Sequence, residues 1–435
     1  MTAARKKKAQ ISSAFFFPGK ESQSMSWYLS LGIILVGGGL IAFLFPKIRL
    51  PALLGYLCLG LLLGTFNLMA PEILSVSSEI RKFALLIILL KAGLNLNLKD
   101  LKKVGRPAIL MSFVPACVEM CAVGLLGPYI LGLSYMESFI LGSVLGAVSP
   151  AVVVPRMTKL LDEGYGVDQG IPQLIIAGSS MDDIVMIVFF NSFLSLETGG
   201  DLSWMTFMNI PISIVTGVAV GIGVGFLLIL LYSKVKMRDS IKLTILLGIA
   251  LLFVALEDVL SKWFSFSSLL AVLTMGIVLL LKKPDTSHHL ASKCDKLWVP
   301  AEIFLFVLVG ASLNVTYLGE YILPALLMIL LSLAFRTFGV QACLIKTPFN
   351  IKERTYISLS YLPKATVQAA LGGTLLDTGT ALGNDAMIKA GTIVLAVSVC
   401  YILLTAPLSA FAMDLSYKHL LQPRREIGTE QIAKE

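Results

Sequence analysis

The sequence predicts an all-α polytopic membrane protein of about thirteen transmembrane helices, folded as two inverted six-helix repeats. Three observations predict it. The composition is too apolar for a soluble globule, apolar runs of about 20 residues recur along the chain, and basic loops alternate with acidic or neutral ones.

Of 435 residues, 56% are hydrophobic and 14% charged, with a mean hydropathy of +0.85. A soluble domain carries about 25% charged residues. The stretches able to sit wholly in water are 1–25, 416–435 and a linker at 282–296. The plan is an N-terminal tail (1–25), a transmembrane domain (26–415) and a C-terminal tail (416–435), with no soluble catalytic or nucleotide-binding module. The apolar run at 14–17 is too short for a secretory h-region. The net charge of +8 fits basic cytoplasmic loops rather than nucleic-acid binding. The six cysteines show no metal spacing and no disulfide framework, and read as small apolar packers.

The predicted spans are 27–45, 50–69, 83–98, 107–126, 139–157, 170–196, 208–232, 241–260, 265–281, 297–315, 321–345, 356–376 and 388–413. Lys and Arg gather after the first, third, seventh, ninth, eleventh and thirteenth spans, for example Lys99, Lys102, Lys103 and Arg106 after the third and Lys234, Lys236 and Arg238 after the seventh. The loops between carry Glu137, Glu197, Asp201, Glu320, Asp377 and Asp385. The positive-inside rule places the C-terminus in the cytoplasm of a cell-membrane protein, and thirteen spans then put the N-terminus outside. Arg5, Lys6, Lys7 and Lys8 oppose that last step.

The halves resemble each other in order. Leu53-Leu54-Gly55-Tyr56-Leu57-Cys58-Leu59-Gly60 is echoed by Leu269-Leu270-Ala271-Val272-Leu273-Thr274-Met275-Gly276, 216 residues on. Ala92-Gly93-Leu94-Asn95 returns in Gly310-Ala311-Ser312-Leu313-Asn314, with Leu94 and Leu313 219 residues apart. Mid-span charges Glu119 and Arg336 stand 217 apart, and Pro150 and Pro363 stand 213 apart. Repeat one covers 27–196, a linker helix 208–232 and repeat two 241–413. One repeat starts outside and the other inside, the inverted arrangement of secondary transporters, whose ion sites lie where the repeats meet.

Corresponding spans carry prolines inside apolar sequence: Pro150 and Pro155 in one, Pro363 in the other. An ordinary kink explains one proline. Matched breaks in both halves point to half-helix ends that hold charge.

The span 170–196 carries Asp182 and Asp183 at its centre. A charge there costs about 2.5–3.5 kcal/mol on insertion scales, so it marks function. Desolvation favours a neutral carboxylate and a nearby cation favours a charged one. A carboxylate open to a cavity therefore takes either a proton or a sodium ion, and that competition with alternating access is antiport. Neighbours on a helix point about 100° apart, so one Asp can face the cavity and the other a partner. The remaining intramembrane charges need partners: Glu119 with Arg336, Lys91 with Glu302, and Lys364 beside a break. Glu257 and Asp258 fall at a span end and read as solvated.

These residues resemble the monovalent cation:proton antiporter superfamily, and within it the NHA branch and the bacterial NapA-type antiporters. The resemblance rests on Gly146-Ala147-Val148-Ser149-Pro150-Ala151-Val152-Val153-Val154-Pro155, Gly164-Tyr165-Gly166, the Asp182-Asp183 pair and Leu362-Pro363-Lys364-Ala365-Thr366-Val367-Gln368-Ala369. It implies an NhaA-like fold with crossed broken helices, and a homodimer whose core domain moves against a dimerisation domain. It implies Asp183 as the main sodium and proton ligand, with Asp182 assisting; Ser149 is a further candidate ion ligand. Electrogenic members carry a lysine where this chain has Arg336; in the NHA branch the arginine looks paired with a glutamate matching Glu119. Arginine hardly deprotonates, so the proton stoichiometry is open.

The expected function is sodium (or lithium) for proton exchange serving pH homeostasis, with no enzyme activity and no cofactor beyond the transported ions. The alternatives on this architecture are a potassium/proton antiporter and a sodium-coupled solute symporter. An intramembrane aspartyl protease needs aspartates converging from separate helices, and these are neighbours on one. A channel would conduct without counter-transport.

Overall fold

The structure is a computed structural model that describes residues 26–48, 50–95, 105–199, 204–260, 266–313 and 315–423. The N-terminal tail at 1–25 and residues 424–435 of the C-terminal tail lie outside these. Within the described residues there is no strand, and one isolated bridge joins Tyr165 to Pro423. Helices satisfy their backbone polar groups internally, which lipid demands.

The helices are α1 (Trp27–Leu44), α2 (Ala52–Thr65), α3 (Pro71–Ser75), α4 (Ser77–Asn95), α5 (Arg106–Met111), α6 (Val114–Leu131), α7 (Tyr135–Gly146), α8 (Pro150–Glu163) and α9 (Ile171–Gly199). They continue as α10 (Trp204–Lys234), α11 (Asp239–Leu260), α12 (Ser268–Lys282), α13 (Pro284–Ala311), α14 (Val315–Cys343), α15 (Ile351–Ser360), α16 (Thr366–Leu371), α17 (Thr374–Leu382) and α18 (Asp385–Leu420).

Among the described residues, eight stretches are long and apolar enough to cross a bilayer: Trp27–Ile48, Arg106–Leu131, Tyr135–Glu163, Ile171–Gly199, Ile212–Lys234, Asp239–Glu257, Tyr321–Cys343 and Asp385–Leu420. The other segments that the sequence counts as spans fall short for physical reasons. α2 and α12 have 14 and 15 residues. α4 carries Glu79, Arg81, Lys82 and Lys91. α13 begins with a polar half, and α15 is cut off from α16.

The linker expected at 282–296 is instead mostly helix, the first half of α13. Ser287, Leu290, Ala291, Cys294 and Trp298 are buried at i, i+3, i+4, i+7 spacing, an amphipathic stripe that the flanking lysines mask in a hydropathy reading. Ser287 donates to the Leu94 carbonyl at 2.8 Å, which ties this half to the end of α4. Cys294 is therefore a packed core residue, not a solvated one. Glu257 is not simply solvated either: its carboxylate accepts from the Ser268 backbone N–H at 3.3 Å and from the Ser268 hydroxyl, closing the start of α12.

The contacts sort the helices into two bundles. α1, α2, α4 and α10–α13 pack on one another, and α5–α9 pack with α14–α18. In the first bundle α4 meets α12 and α2 meets α13 through glycines. A methyl at Gly93 would stand 2.5 Å from the Leu273 carbonyl oxygen, so α4 and α12 touch backbone to backbone. The bundles meet along α16, which touches α4 and α13, and where α9 meets α10. Across their boundary, buried Arg81 of α4 reaches Asp377 of α17 at 2.6 Å.

Candidate ion-binding site

Two helix interruptions build the site. α7 starts with a capping box, in which the Ser134 side chain accepts from the Glu137 N–H and Glu137 from the Ser134 N–H, at 3.2 and 2.7 Å. It stops at Gly146 because Pro150 pushes Ser149 into extended backbone (φ −84°, ψ 107°). Pro150 then takes the first position of α8, where a missing N–H does no harm. Pro155, expected with Pro150 at the interruption, lies inside α8, which runs on to Glu163. The second interruption separates α15, opened by an Asn350–Glu353 capping box, from α16 and contains Pro363 and Lys364.

The interruptions cross. The Ser149 N–H donates to the Pro363 carbonyl at 2.9 Å. The Gln368 amide donates to the carbonyls of Val144 and Ala147, both at 2.9 Å. Each break thus satisfies backbone groups freed by the other, which lipid could not do.

A buried charge network surrounds the crossing. Arg336 of α14 donates to Glu119 of α6 at 2.7 Å, to Asp182 of α9 at 2.9 Å and to the Tyr361 carbonyl at 2.5 Å, and it also bonds the Gly146 carbonyl. Lys364 donates to the same Glu119 oxygen at 2.7 Å, and the Tyr401 hydroxyl to the other at 2.5 Å. Ser332 lies 2.7 Å from the Tyr401 hydroxyl. Glu119, Arg336 and Lys364 are fully buried. Asp182 also accepts from the Val148 N–H at 3.2 Å.

Asp183 differs from its neighbour. It lines a cavity of ≈ 370 Å³ walled by α4, α8, α9, α13 and α16, whereas Asp182 points into the network. Six buried oxygens around the crossing have no hydrogen-bond partner among the described residues: Ser149 Oγ, Asp182 Oδ1, Asp183 Oδ1, Tyr361 OH, Thr366 Oγ1 and Gln368 Oε1. Buried polar atoms are normally bonded. Carboxylate, hydroxyl and amide oxygens together suit a hard cation.

The structure therefore brings Asp182, Asp183, Ser149, Pro150, Pro363, Lys364, Glu119 and Arg336 to one crossing. Lys91 and Glu302 stand apart, on the cavity wall. Lys91 does not pair with Glu302; its ammonium meets Asp295 at 2.5 Å, about two helical turns earlier on α13. Sequence reasoning missed Tyr401, Ser332 and Thr405, which donates to the Tyr401 carbonyl and accepts from the Lys364 N–H. Isolated hydroxyls in apolar spans give no signal. Thr366 and Gln368 stand in a quoted motif but carried no assigned role.

The family model described as "Sodium/hydrogen exchanger, transmembrane" matches residues 31–412. The chain is similar to Sodium/hydrogen exchanger 9B2 of Mus musculus, 34% identical over 415 residues that cover 92% of this chain and 74% of that protein. The human 9B2 exchanger is 35% identical over 401 residues, covering 89% and 73%. Human Sodium/hydrogen exchanger 9B1 is 32% identical over 377 residues, covering 84% and 72%. Among solved structures, the sodium proton antiporter MjNhaP1 of Methanocaldococcus jannaschii superposes with a TM-score of 0.79 at 24% identity, covering 90% of this chain and 97% of that one, a likeness of fold.

Proposed function

The chain belongs to the sodium/hydrogen exchanger family, a family of multi-pass membrane antiporters, and from this premise we propose that Asp183 is the group for which sodium (or lithium) and protons compete. One observation carries the reading. Of two adjacent carboxylates, Asp182 is held by Arg336 and the Val148 N–H, while Asp183 lines the cavity, and its Oδ1 has no partner among the described residues. Thr366 lines the same cavity and offers a further oxygen, and Ser149 and Gln368 carry oxygens at the crossing with no partner among the described residues.

The charge balance supports one ion at a time. With all groups ionised, Glu119, Asp182 and Asp183 face Arg336 and Lys364, which leaves one excess negative charge. A single Na⁺ or a single H⁺ neutralises it. The exchange needs no resident cofactor.

The division into two bundles supports alternating access. The cavity opens between them beside Asp183, while Arg81 and Asp377 join them elsewhere. The segments too short or too charged to cross alone (α2, α4, α12, α13 and α15–α16) complete thirteen spans with the eight apolar stretches. Contact pairing supports inverted repeats. α2 matches α12 and α4 matches α13 in the sequence repeat, and the packing pairs α2 with α13 and α4 with α12, as a two-fold exchange requires. A cell-membrane site, a cytoplasmic C-terminus and a homodimer complete the reading. The exposed apolar face of α10, with Val215, Ile222, Phe226 and Leu230, would meet lipid or a second copy.

The test is exchange in proteoliposomes with each alkali cation in turn. Asp183→Asn is expected to abolish the cation-driven pH change; retained exchange would sink the assignment. Potassium driving exchange better than sodium and lithium would select the potassium alternative, and sodium flux that needs an organic solute the symporter.

A further inference from the structure

Glu302 of α13 is a carboxylate that the network around Asp183 does not use. It lines the ≈ 370 Å³ cavity that holds Asp183, and also a second cavity of ≈ 420 Å³ walled by Pro46, Leu50, Pro51, the start of α2, α8 and Asp414. Ala151, Pro155 and Glu302 belong to both walls, so the cavities adjoin there, and Glu302 is the ionisable member of the three.

The neighbouring charges on the two walls are, among the described residues, each bonded to a partner. Lys91, in the first cavity, meets Asp295 at 2.5 Å. Arg156 and Asp414, both in the second, meet at 3.2 Å. Glu302 has neither a hydrogen bond nor an ion pair among the described residues. Among the described residues, two neutral pairs and one carboxylate without a bonded partner give the junction a net negative sign. Low-dielectric walls of Leu85, Ile88, Val154 and Trp298 strengthen that field.

We propose that Glu302 is a cation waypoint: a second carboxylate that gathers an alkali ion where the two cavities join and passes it on to Asp183. A single carboxylate in a cavity that holds several waters leaves most of the ion's hydration in place. It therefore raises the local concentration of the ion without trapping it, as conduction toward a tighter site requires. The waypoint acts on arrival, not on the carrying step.

This inference rests on the exchange reading above, and one experiment separates the two. Sodium-driven pH change is measured in proteoliposomes against sodium concentration, at low and high ionic strength set with choline chloride. Glu302→Gln is expected to raise the apparent KM for sodium about tenfold at low ionic strength, the low end of what charged clefts add, with the maximal rate changed less than twofold. High ionic strength should shrink the gap. Glu302→Asp, which keeps the charge, should restore KM to within about twofold. An unchanged KM in Glu302→Gln overturns the proposal. So does equal loss of maximal rate in Glu302→Gln and Glu302→Asp, which marks a packing role. A wild-type protein with no sodium-driven exchange would instead remove the reading on which the proposal stands.

Discussion

Glu119 lets the energetics of the site be tested apart from transport. Its two carboxylate oxygens accept from Arg336 and Lys364, both at 2.7 Å, and from Tyr401 at 2.5 Å. Glu119→Leu keeps much of the volume but leaves Lys364 without its ion-pair partner and Arg336 with Asp182 alone. Breaking a buried pair in this way costs about 3–5 kcal/mol, or roughly two to three and a half powers of ten in the folded-to-unfolded ratio. Glu119→Gln is gentler. Its amide oxygen can still accept from Arg336 and Lys364, and its NH₂ can donate to Tyr401, whose hydroxyl can turn toward Ser332 at 2.7 Å. Only the charge is lost, which costs about 1.5–3 kcal/mol, the scale of a hydrogen bond to a charged group. The assay is thermal unfolding of purified protein, with leucine expected to melt lowest, glutamine between, and wild type highest. A Glu119→Leu variant as stable as wild type would refute the network as an energetic unit. Glutamine melting below leucine would refute the assignment of the loss to unpaired cations.

Two further predictions concern charge. With one excess negative charge in the cluster and Arg336 unable to give up a proton, exchange is expected to be electroneutral: clamping the membrane potential with valinomycin and potassium should leave the initial rate unchanged, and a rate that follows the clamp would refute one-for-one exchange. Arg81→Met and Asp377→Leu should each lower the melting temperature, and together by less than the sum, because either single change strands a partner at the bundle boundary; additive losses would show that the 2.6 Å pair carries no coupling.

Much of this was legible because lipid makes polar residues conspicuous. Asp182, Asp183, Glu119, Arg336 and Lys364 each stand in apolar sequence, and the structure draws them to one crossing. Pro150 and Pro363 announce the interruptions because no helix continues comfortably through them. The illegible part depends on three-dimensional neighbours. Lys91 takes Asp295 rather than Glu302, a choice that spacing along one helix cannot decide. The first half of α13 reads as a polar linker because its lysines and histidines outweigh a buried stripe in any windowed average, although the stripe keeps a helical period. Pro155 looks like a second break and is carried within α8, because the interruption is already spent at 147–149. Tyr401 closes the network from a span whose sequence is otherwise plain apolar helix.

The distribution of the site between the bundles bears on how it can move. Every hydrogen-bonded member of the charge network lies in one bundle: Glu119 on α6, the Gly146 carbonyl on α7, Asp182 on α9, Arg336 on α14, Lys364 between α15 and α16, and Tyr401 on α18. The crossing bonds of Ser149 and Gln368 are internal to that bundle too. The other bundle contributes cavity wall: Leu85, Lys91, Trp298 and Glu302. Between them the described structure has one direct ion pair, Arg81 with Asp377. Rearranging the network would mean separating several buried ions, each at several kcal/mol. Sliding one bundle past the other breaks one pair and exchanges apolar contacts for apolar contacts. On the exchange reading, then, the lower-energy route to alternating access carries Asp183 with its whole network as a rigid unit and changes only the wall that it faces.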